Sequence, residues 1–299
     1  MKIFVTGATG YIGSAVVKEL VAAGHEALGL ARSDKAAAAL AAAGVAAHRG
    51  SLEDLESLKS GVAMSDGVIH TAFLHDFSNF AAACETDRRA IEAIGATLEN
   101  SNRPFVIASG LAGLNPGGVA TEEIAAAPPT FSTPRSATET ALIEMASRGV
   151  RSAAVRIAPT AHGPGDHGFI SQIIKIAQTK GISAYIGDGN NRWPAVHVLD
   201  AAKLFRFALE KAPAGTRVHA VAEEGIPFRE IAAVISRRLQ APLVSISAEE
   251  AAGHFGWLGN IIGLDTPASS VITQKSLNWR PSQPSLLSDM NSDAYFVSA

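Results

Sequence analysis

Cysteine is almost absent. Cys84 is the single one in 299 residues, which excludes an internal disulfide and a cysteine-based metal cluster. Aromatic residues are also scarce, at 6%, with three tyrosines and three tryptophans, so chemistry that needs a phenol has few sources. Neither sign of charge dominates: 25 Lys+Arg stand against 28 Asp+Glu, a formal net charge of −3. Without a run of basic residues, neither nucleic acid nor an anionic membrane is the expected partner. No segment has the roughly 20 apolar residues that cross a bilayer; the best candidate, Ala36 to Ala47, is short and made of small residues. Met1 to Gly7 is too brief to hold the h-region of about 7–15 apolar residues found in a secretory signal. The expectation is a reduced, cytoplasmic protein acting on a small-molecule substrate. What the chain does have is apolar content, 47% against 18% charged, which describes a chain that buries a core.

Short β-branched runs alternate with helical spacing in the first half. Strands are expected at Lys2–Thr6, Glu26–Ala31, Ala46–Arg49, Gly67–Thr71, Phe105–Ser109 and Ser152–Ile157. Val16, Val17, Leu20 and Val21 have helical spacing, as do Leu52, Leu55 and Leu58; Ala36–Ala43 reads as a helix closed by Gly44. Apolar strands without polar alternation suit a parallel sheet covered on both faces. The fold class is therefore α/β, a doubly wound parallel sheet of Rossmann type, with a smaller C-terminal substrate-binding segment. The division falls near residue 158, giving a dinucleotide-binding core at 1–158 and a mixed segment at 159–299 that completes the core and shapes a cleft. Glycine and proline cluster in Ala158–Gly168 and Gly187–Pro194, as loops would, and helices are expected at Leu199–Lys211 and Pro227–Leu239.

Gly7-Ala8-Thr9-Gly10-Tyr11-Ile12-Gly13 follows the first strand and opens a helix. Glycines there allow a tight turn, close approach of backbone to a pyrophosphate, and a helix seated on the sheet; the helix N-terminus supplies N–H groups and partial positive charge. After the second strand an acidic residue would bind the ribose 2′-hydroxyl of NAD and a basic one the 2′-phosphate of NADP. This chain has Arg32-Ser33-Asp34-Lys35. Arg32 and Ser33 favour NADP, while Asp34 keeps NAD open.

The stretch Thr6-Gly7-Ala8-Thr9-Gly10-Tyr11-Ile12-Gly13 resembles the nucleotide loop of the extended or atypical short-chain dehydrogenase/reductase superfamily, in its epimerase/dehydratase branch. Supporting stretches are Gly50-Ser51-Leu52, Val68-Ile69-His70-Thr71-Ala72, Val196–Ala202 and Leu277-Asn278-Trp279-Arg280-Pro281. The resemblance implies that Ser51 and Leu52 lie beside the adenine, Thr71, Ala72 and Phe73 beside the cofactor, and Pro159 beside the nicotinamide. It also implies a homodimer through the helices flanking strands four and five. The chain departs from the family at its chemistry. Aligning the Glu that usually follows a Tyr-x-x-x-Lys pair with Glu139 puts Arg135 at the Lys and Phe131 at the Tyr. Phenylalanine donates no proton, and a guanidinium with a pKa above 12 shuttles none, though it can hold a ribose or polarise a carbonyl. Gly110 falls at the usual serine, with Ser109 one residue early.

A proton donor must then come from elsewhere. Tyr11 lies in the phosphate loop and Tyr295 near the tail, which leaves Tyr185 as the phenol at hand. His162 and His167 follow strand six in the stretch that passes the nicotinamide, and imidazole suits proton transfer at neutral pH. The candidate catalytic set is Arg135, His162, His167 and Ser109. A metal site made of His162, Asp166 and His167 ranks far lower, since no third histidine has ligand spacing. Gly187–Pro194 offers Arg192 for an anion and Trp193 for stacking, so Tyr185, Arg192 and Trp193 are substrate candidates; a surface turn with Trp193 tucked into the core is an equal alternative. Three functions compete: an NAD(P)-dependent oxidoreductase of a small carbonyl or alcohol, an epimerase or dehydratase with tightly held cofactor, and an NADP-binding sensor without turnover.

Overall fold

The computed structural model describes residues 1–74, 79–112, 114, 117–126 and 135–296. The short apolar runs become the strands of one sheet, and the stretches between them become its covering helices. In chain order these are β1 (Lys2–Thr6), α1 (Tyr11–Ala22), β2 (Glu26–Ala31), α2 (Asp34–Ala42), β3 (Ala46–Arg49), α3 (Leu55–Ala63), β4 (Gly67–His70), α4 (Phe80–Leu98), β5 (Pro104–Gly110), α5 (Ser136–Glu144) and β6 (Arg151–Ile157). Then come β7 (Thr160–His162), α6 (Phe169–Lys180), β8 (Ser183–Ile186), β9 (Arg192–His197), α7 (Val198–Lys211), β10 (Thr216–Ala220), β11 (Glu223–Pro227) and α8 (Phe228–Leu239). The chain ends with β12 (Leu243–Ile246), α9 (Ala248–Phe255), α10 (Gly259–Ile262), α11 (Val271–Leu277) and α12 (Leu286–Met290).

The main sheet has seven strands in the order β10-β6-β5-β4-β1-β2-β3, and every neighbouring pair is parallel. The winding runs outward from β1 to β3 and then restarts at β4, so the topological switch lies between β1 and β4, where open α/β sheets bind ligands at the strands' carboxyl ends. Alternation along each strand feeds two cores. Ile3 and Val5 face α1 and α7 through Val16, Val17, Leu20, Leu204 and Phe205. Phe4, Phe105 and Ile107 face α3, α4 and α5 through Leu58, Ile91, Ile94 and Leu142. Each such side chain contributes about 1.5–3 kcal/mol on full burial. β10 joins the sheet beside β6, so the far edge of the nucleotide fold comes from beyond residue 158.

Between β6 and β10, and again after it, the chain builds a second body with its own core of Ile170, Ile173, Ile174, Trp193, Phe228, Ile231, Ile235 and Leu286. Its strands form the β11-β9-β7 sheet and the β12-β8 pair. Among the described residues no helix is long and apolar enough to cross a membrane.

Local differences from the sequence expectations have simple causes. Val21 is exposed, because the buried stripe of α1 is spent on Val16, Val17 and Leu20. Pro227 closes β11 and caps α8 from outside rather than sitting in its first turn. The Gly187–Pro194 stretch is only partly a loop: β9 begins at Arg192, so Trp193 and Pro194 lie on a strand.

Candidate active site

At the end of β1, Gly7 adopts a left-handed φ of +69° and its carbonyl accepts from the Gly10 N–H at 2.9 Å. α1 starts at once. Its N-cap, Gly10, offers no side-chain hydrogen bond and its first turn carries no acidic residue, so the first N–H groups and the positive helix end are left for an external anion. Close approach, besides φ, demands glycine. A Cβ on Gly13 would stand 2.0 Å from the Gly7 carbonyl oxygen, and one on Gly7 would stand 2.6 Å from the Ala72 nitrogen. Thr71 braces the turn from below, its hydroxyl donating to the Thr6 carbonyl at 2.8 Å. Thr9 and Gly10 are exposed, while Tyr11 and Ile12 are half-buried.

Beyond β2, Arg32 is exposed. Ser33 accepts from the Ala36 N–H at 3.2 Å and so caps α2. Asp34, the acidic alternative, is held by Arg49 at 2.5 Å. Ser51 accepts from the Asp54 N–H at 3.3 Å, and Leu52 is buried. The bare helix end, the glycines and a cation beyond β2 suit a dinucleotide: Gly7 to Gly13 for its pyrophosphate, and Arg32 for a ribose phosphate.

Where β5 ends, Ser109 donates to Glu139 Oε2 at 2.9 Å. The same carboxylate takes Arg156 Nε at 3.0 Å and Nη2 at 2.5 Å, and Arg217 Nε at 3.0 Å. Burial alone would raise the Glu139 pKa, but the Arg156 hydrogen bonds and charge, with Ser109 and Arg217 behind them, hold it below the ordinary carboxylate value. Glu139 is therefore a fixed anion that orients the Ser109 hydroxyl, and a poor base. Arg156 Nη1 also donates to His219 Nε2 at 3.3 Å, whose Nδ1 donates to the Ser269 carbonyl at 2.8 Å. Gly110 is exposed, with open space where its Cβ would be. The Arg135 guanidinium sits 4.0 Å from the Phe73 ring centre, and Phe73 meets Phe80 edge-on at 5.9 Å. Arg135 thus keeps its charge at the C-terminal end of β4, held by a cation–π contact. Phe131 lies outside the described residues.

The two candidate histidines are separated by their surroundings. His162 is 0% exposed, and its Nδ1 donates to Asp289 Oδ2 at 2.8 Å. Desolvation lowers its pKa, against the pull of Asp289. Its Nε2 has no partner, and its ring packs edge-on to His197 at 5.3 Å. His167 is exposed and packs edge-on against Tyr11 at 5.6 Å, which sets an accessible imidazole beside the phosphate loop. Pro159, half-buried, follows β6 after a single intervening residue. Among the described residues no three His, Cys, Asp or Glu side chains could hold a metal ion. Asp166 is instead paired with Tyr295, whose hydroxyl donates to Oδ2 at 3.0 Å and accepts from the Gly163 N–H at 3.0 Å.

The substrate candidates do not converge. Trp193 is 1% exposed, packed against Phe228 at 5.2 Å, with its Nε1 donating to the Leu264 carbonyl. Arg192 is bound to Asp265 through Nε at 3.0 Å and Nη2 at 2.8 Å. Tyr185 is half-buried beside Gly189. Sequence reasoning set Tyr295 aside as part of the tail and missed Asp289, yet α12 and the tail bring both back from more than a hundred residues away; no local pattern signals such a return. It also missed the buried His70, which bridges Thr6 at 2.9 Å and Asp87 at 2.9 Å under the loop. A histidine amid the apolar residues of a central strand was the available signal.

The model of the NAD dependent epimerase/dehydratase family matches residues 3–221. The chain belongs to this family. An epimerase/dehydratase-family protein need not share any one member's reaction, and the relatives differ in what is known of them. An uncharacterized protein of Schizosaccharomyces pombe is 52% identical over 297 residues, 99% of this chain and 100% of that one. A 2-alkyl-3-oxoalkanoate reductase of Stenotrophomonas maltophilia is 28% identical over 262 residues, 82% of this chain and 77% of that one. A ketoreductase of Stigmatella aurantiaca acting on a farnesylated quinoline oxide is 42% identical over 74 residues, 25% of this chain and 22% of that one. Among solved structures, UDP-glucose 4-epimerase from Thermotoga maritima matches with a TM-score of 0.78 at 18% identity, covering 99% of this chain and 98% of that one. A dTDP-glucose 4,6-dehydratase from Streptomyces venezuelae with NAD bound matches at 0.76 and 20%, covering 97% and 95%. At these identities the structures speak for the fold.

Proposed function

We propose that the chain is an NAD(P)-dependent oxidoreductase that reduces a small carbonyl, or oxidises the matching alcohol, with a proton donor other than the family tyrosine. The cofactor would be held by Gly7 to Gly13 at its pyrophosphate and flanked by Ser51, Leu52, Thr71, Ala72, Phe73 and Pro159; bound there, it supplies the hydride. Arg32, exposed just beyond β2, favours NADP, with Asp34 turned to Arg49. The observation that carries the reductase reading is the divided fate of the polar groups. Ser109 is oriented by a carboxylate that cannot easily accept a proton. Arg135 keeps a permanent charge beside Phe73, able to polarise a carbonyl as negative charge develops on its oxygen. His167 is the imidazole open to solvent and next to the loop, and so the donor to that oxygen. Names of two relatives, both carbonyl reductases, support the direction.

An epimerase or dehydratase with tightly held cofactor is the second enzyme reading; Glu139 is a weak base and Arg135 none, so its proton transfers too would fall to His167. Sensing without turnover is favoured by one observation, the commitment of Ser109's proton to Glu139. A carbonyl panel with NADPH decides between them. Loss of nicotinamide absorbance, reduced at least tenfold in His167→Ala and Arg135→Ala, supports the reductase. Tight NADPH binding with no oxidation by any carbonyl gives the sensor, and undiminished rates in both variants remove the proposed donor and polariser.

A further inference from the structure

Resting on the reductase reading, we infer that the substrate is a carbonyl compound with an apolar aryl or long alkyl group, seated against Phe169 and Trp257, rather than a nucleotide-diphosphate sugar. Phe169 opens α6 two residues after His167, whose ring touches Tyr11 of the phosphate loop. From there an aromatic wall continues through the second body. Phe169 lies 5.9 Å from Trp193 and 6.1 Å from Trp257, ring centre to ring centre. Trp193 is the buried foundation of this wall, whereas Phe169 is half-buried and Trp257 is 42% exposed. An indole left so open in a chain with so few aromatic residues is a surface for an apolar ligand.

Charge on the wall points the same way. A diphosphate needs cations with free N–H groups. Arg192, adjacent to Trp193, has both Nε and Nη2 on Asp265, and the Arg192 backbone N–H binds the same carboxylate at 2.6 Å. Those two donors are engaged by an exposed salt bridge, and stacking and area would fix the substrate. The alkyl chain of the oxoalkanoate, which also carries a carboxylate, and the farnesylated quinoline in the names of two reductase relatives fit such a wall.

The test reads binding and turnover separately, on the full chain with NADP+ or NADPH. Trp193 and Trp279 are 1% and 0% exposed, so among the three tryptophans Trp257 dominates collisional quenching by acrylamide. Benzylacetone should shield Trp257 from acrylamide saturably, and UDP-glucose should not. With benzylacetone as substrate, Trp257→Ala should raise KM about tenfold with kcat within about twofold, and Phe169→Leu should do the same more weakly; circular dichroism checks folding. Shielding by UDP-glucose alone, shielding by neither, or an unchanged KM in both variants overturns the inference. Shielding by benzylacetone without NADPH oxidation by any carbonyl rejects the reductase and keeps the apolar seat. Reduction of glyceraldehyde with no shielding by benzylacetone does the reverse.

Discussion

Removing Arg156 alone should be among the most damaging single changes in this protein, and removing its partner as well should undo most of that damage. Arg156 is 0% exposed and gives two hydrogen bonds to Glu139, at 3.0 and 2.5 Å. Replacement by Met keeps the volume but strips a buried carboxylate of its main counter-charge, leaving it Arg217 at 3.0 Å and the Ser109 hydroxyl. Breaking a buried pair this way costs roughly 3–5 kcal/mol, whereas replacing both partners by apolar groups is often neutral. Arg156→Met should therefore lower the urea midpoint by an amount equivalent to that loss at unchanged slope, and Arg156→Met/Glu139→Leu should recover most of it. The double variant also frees the Ser109 hydroxyl, so its turnover should fall while its affinity for NADPH stays near wild type. A loss below about 1 kcal/mol in the single variant, or a double variant as unstable as the single, would refute the assignment of Glu139 as a fixed anion.

Arg32→Ala should weaken NADPH binding at least tenfold and NADH by less than threefold, by calorimetry; equal losses would remove the 2′-phosphate contact. Gly13→Ala should abolish binding of either nucleotide, because its Cβ would stand 2.0 Å from the Gly7 carbonyl, and should also cost about 1–3 kcal/mol by overpacking. Gly110→Ser, which meets open space, should leave the melting temperature unchanged within a degree or so. Stability should fall as pH drops below 6.5. Burial depresses the pKa of His162 and His219 from that value, so the unfolded chain binds more protons there and the loss continues until the folded-state pKa is passed. His162→Gln should flatten that slope by up to one proton, about 1.4 kcal/mol per pH unit; an unaltered slope would show that folding leaves the proton affinity of His162 unchanged.

Periodicity and glycine placement made the Rossmann core legible, because both are local. A parallel strand buried on two faces needs an unbroken apolar run such as Ile3-Phe4-Val5, and a helix pressed onto a strand end needs glycine at positions 7 and 13, whatever the rest of the chain does. The expected replacement of the family tyrosine by Phe131 rests on spacing from Glu139 alone, and Phe131 lies outside the described residues. Chemistry was harder to read. His162 and His167 are five positions apart in one Gly-rich stretch, yet one is sealed against Asp289 of α12 and the other lies open beside Tyr11. Arg192 and Trp193 have the composition of a binding loop, but Asp265 pairs with one and Phe228 helps bury the other. In each case the partner comes from a segment dozens of residues away. A side chain's exposure, charge balance and proton affinity depend on what folds against it, and that becomes fixed only when distant parts of the chain pack together.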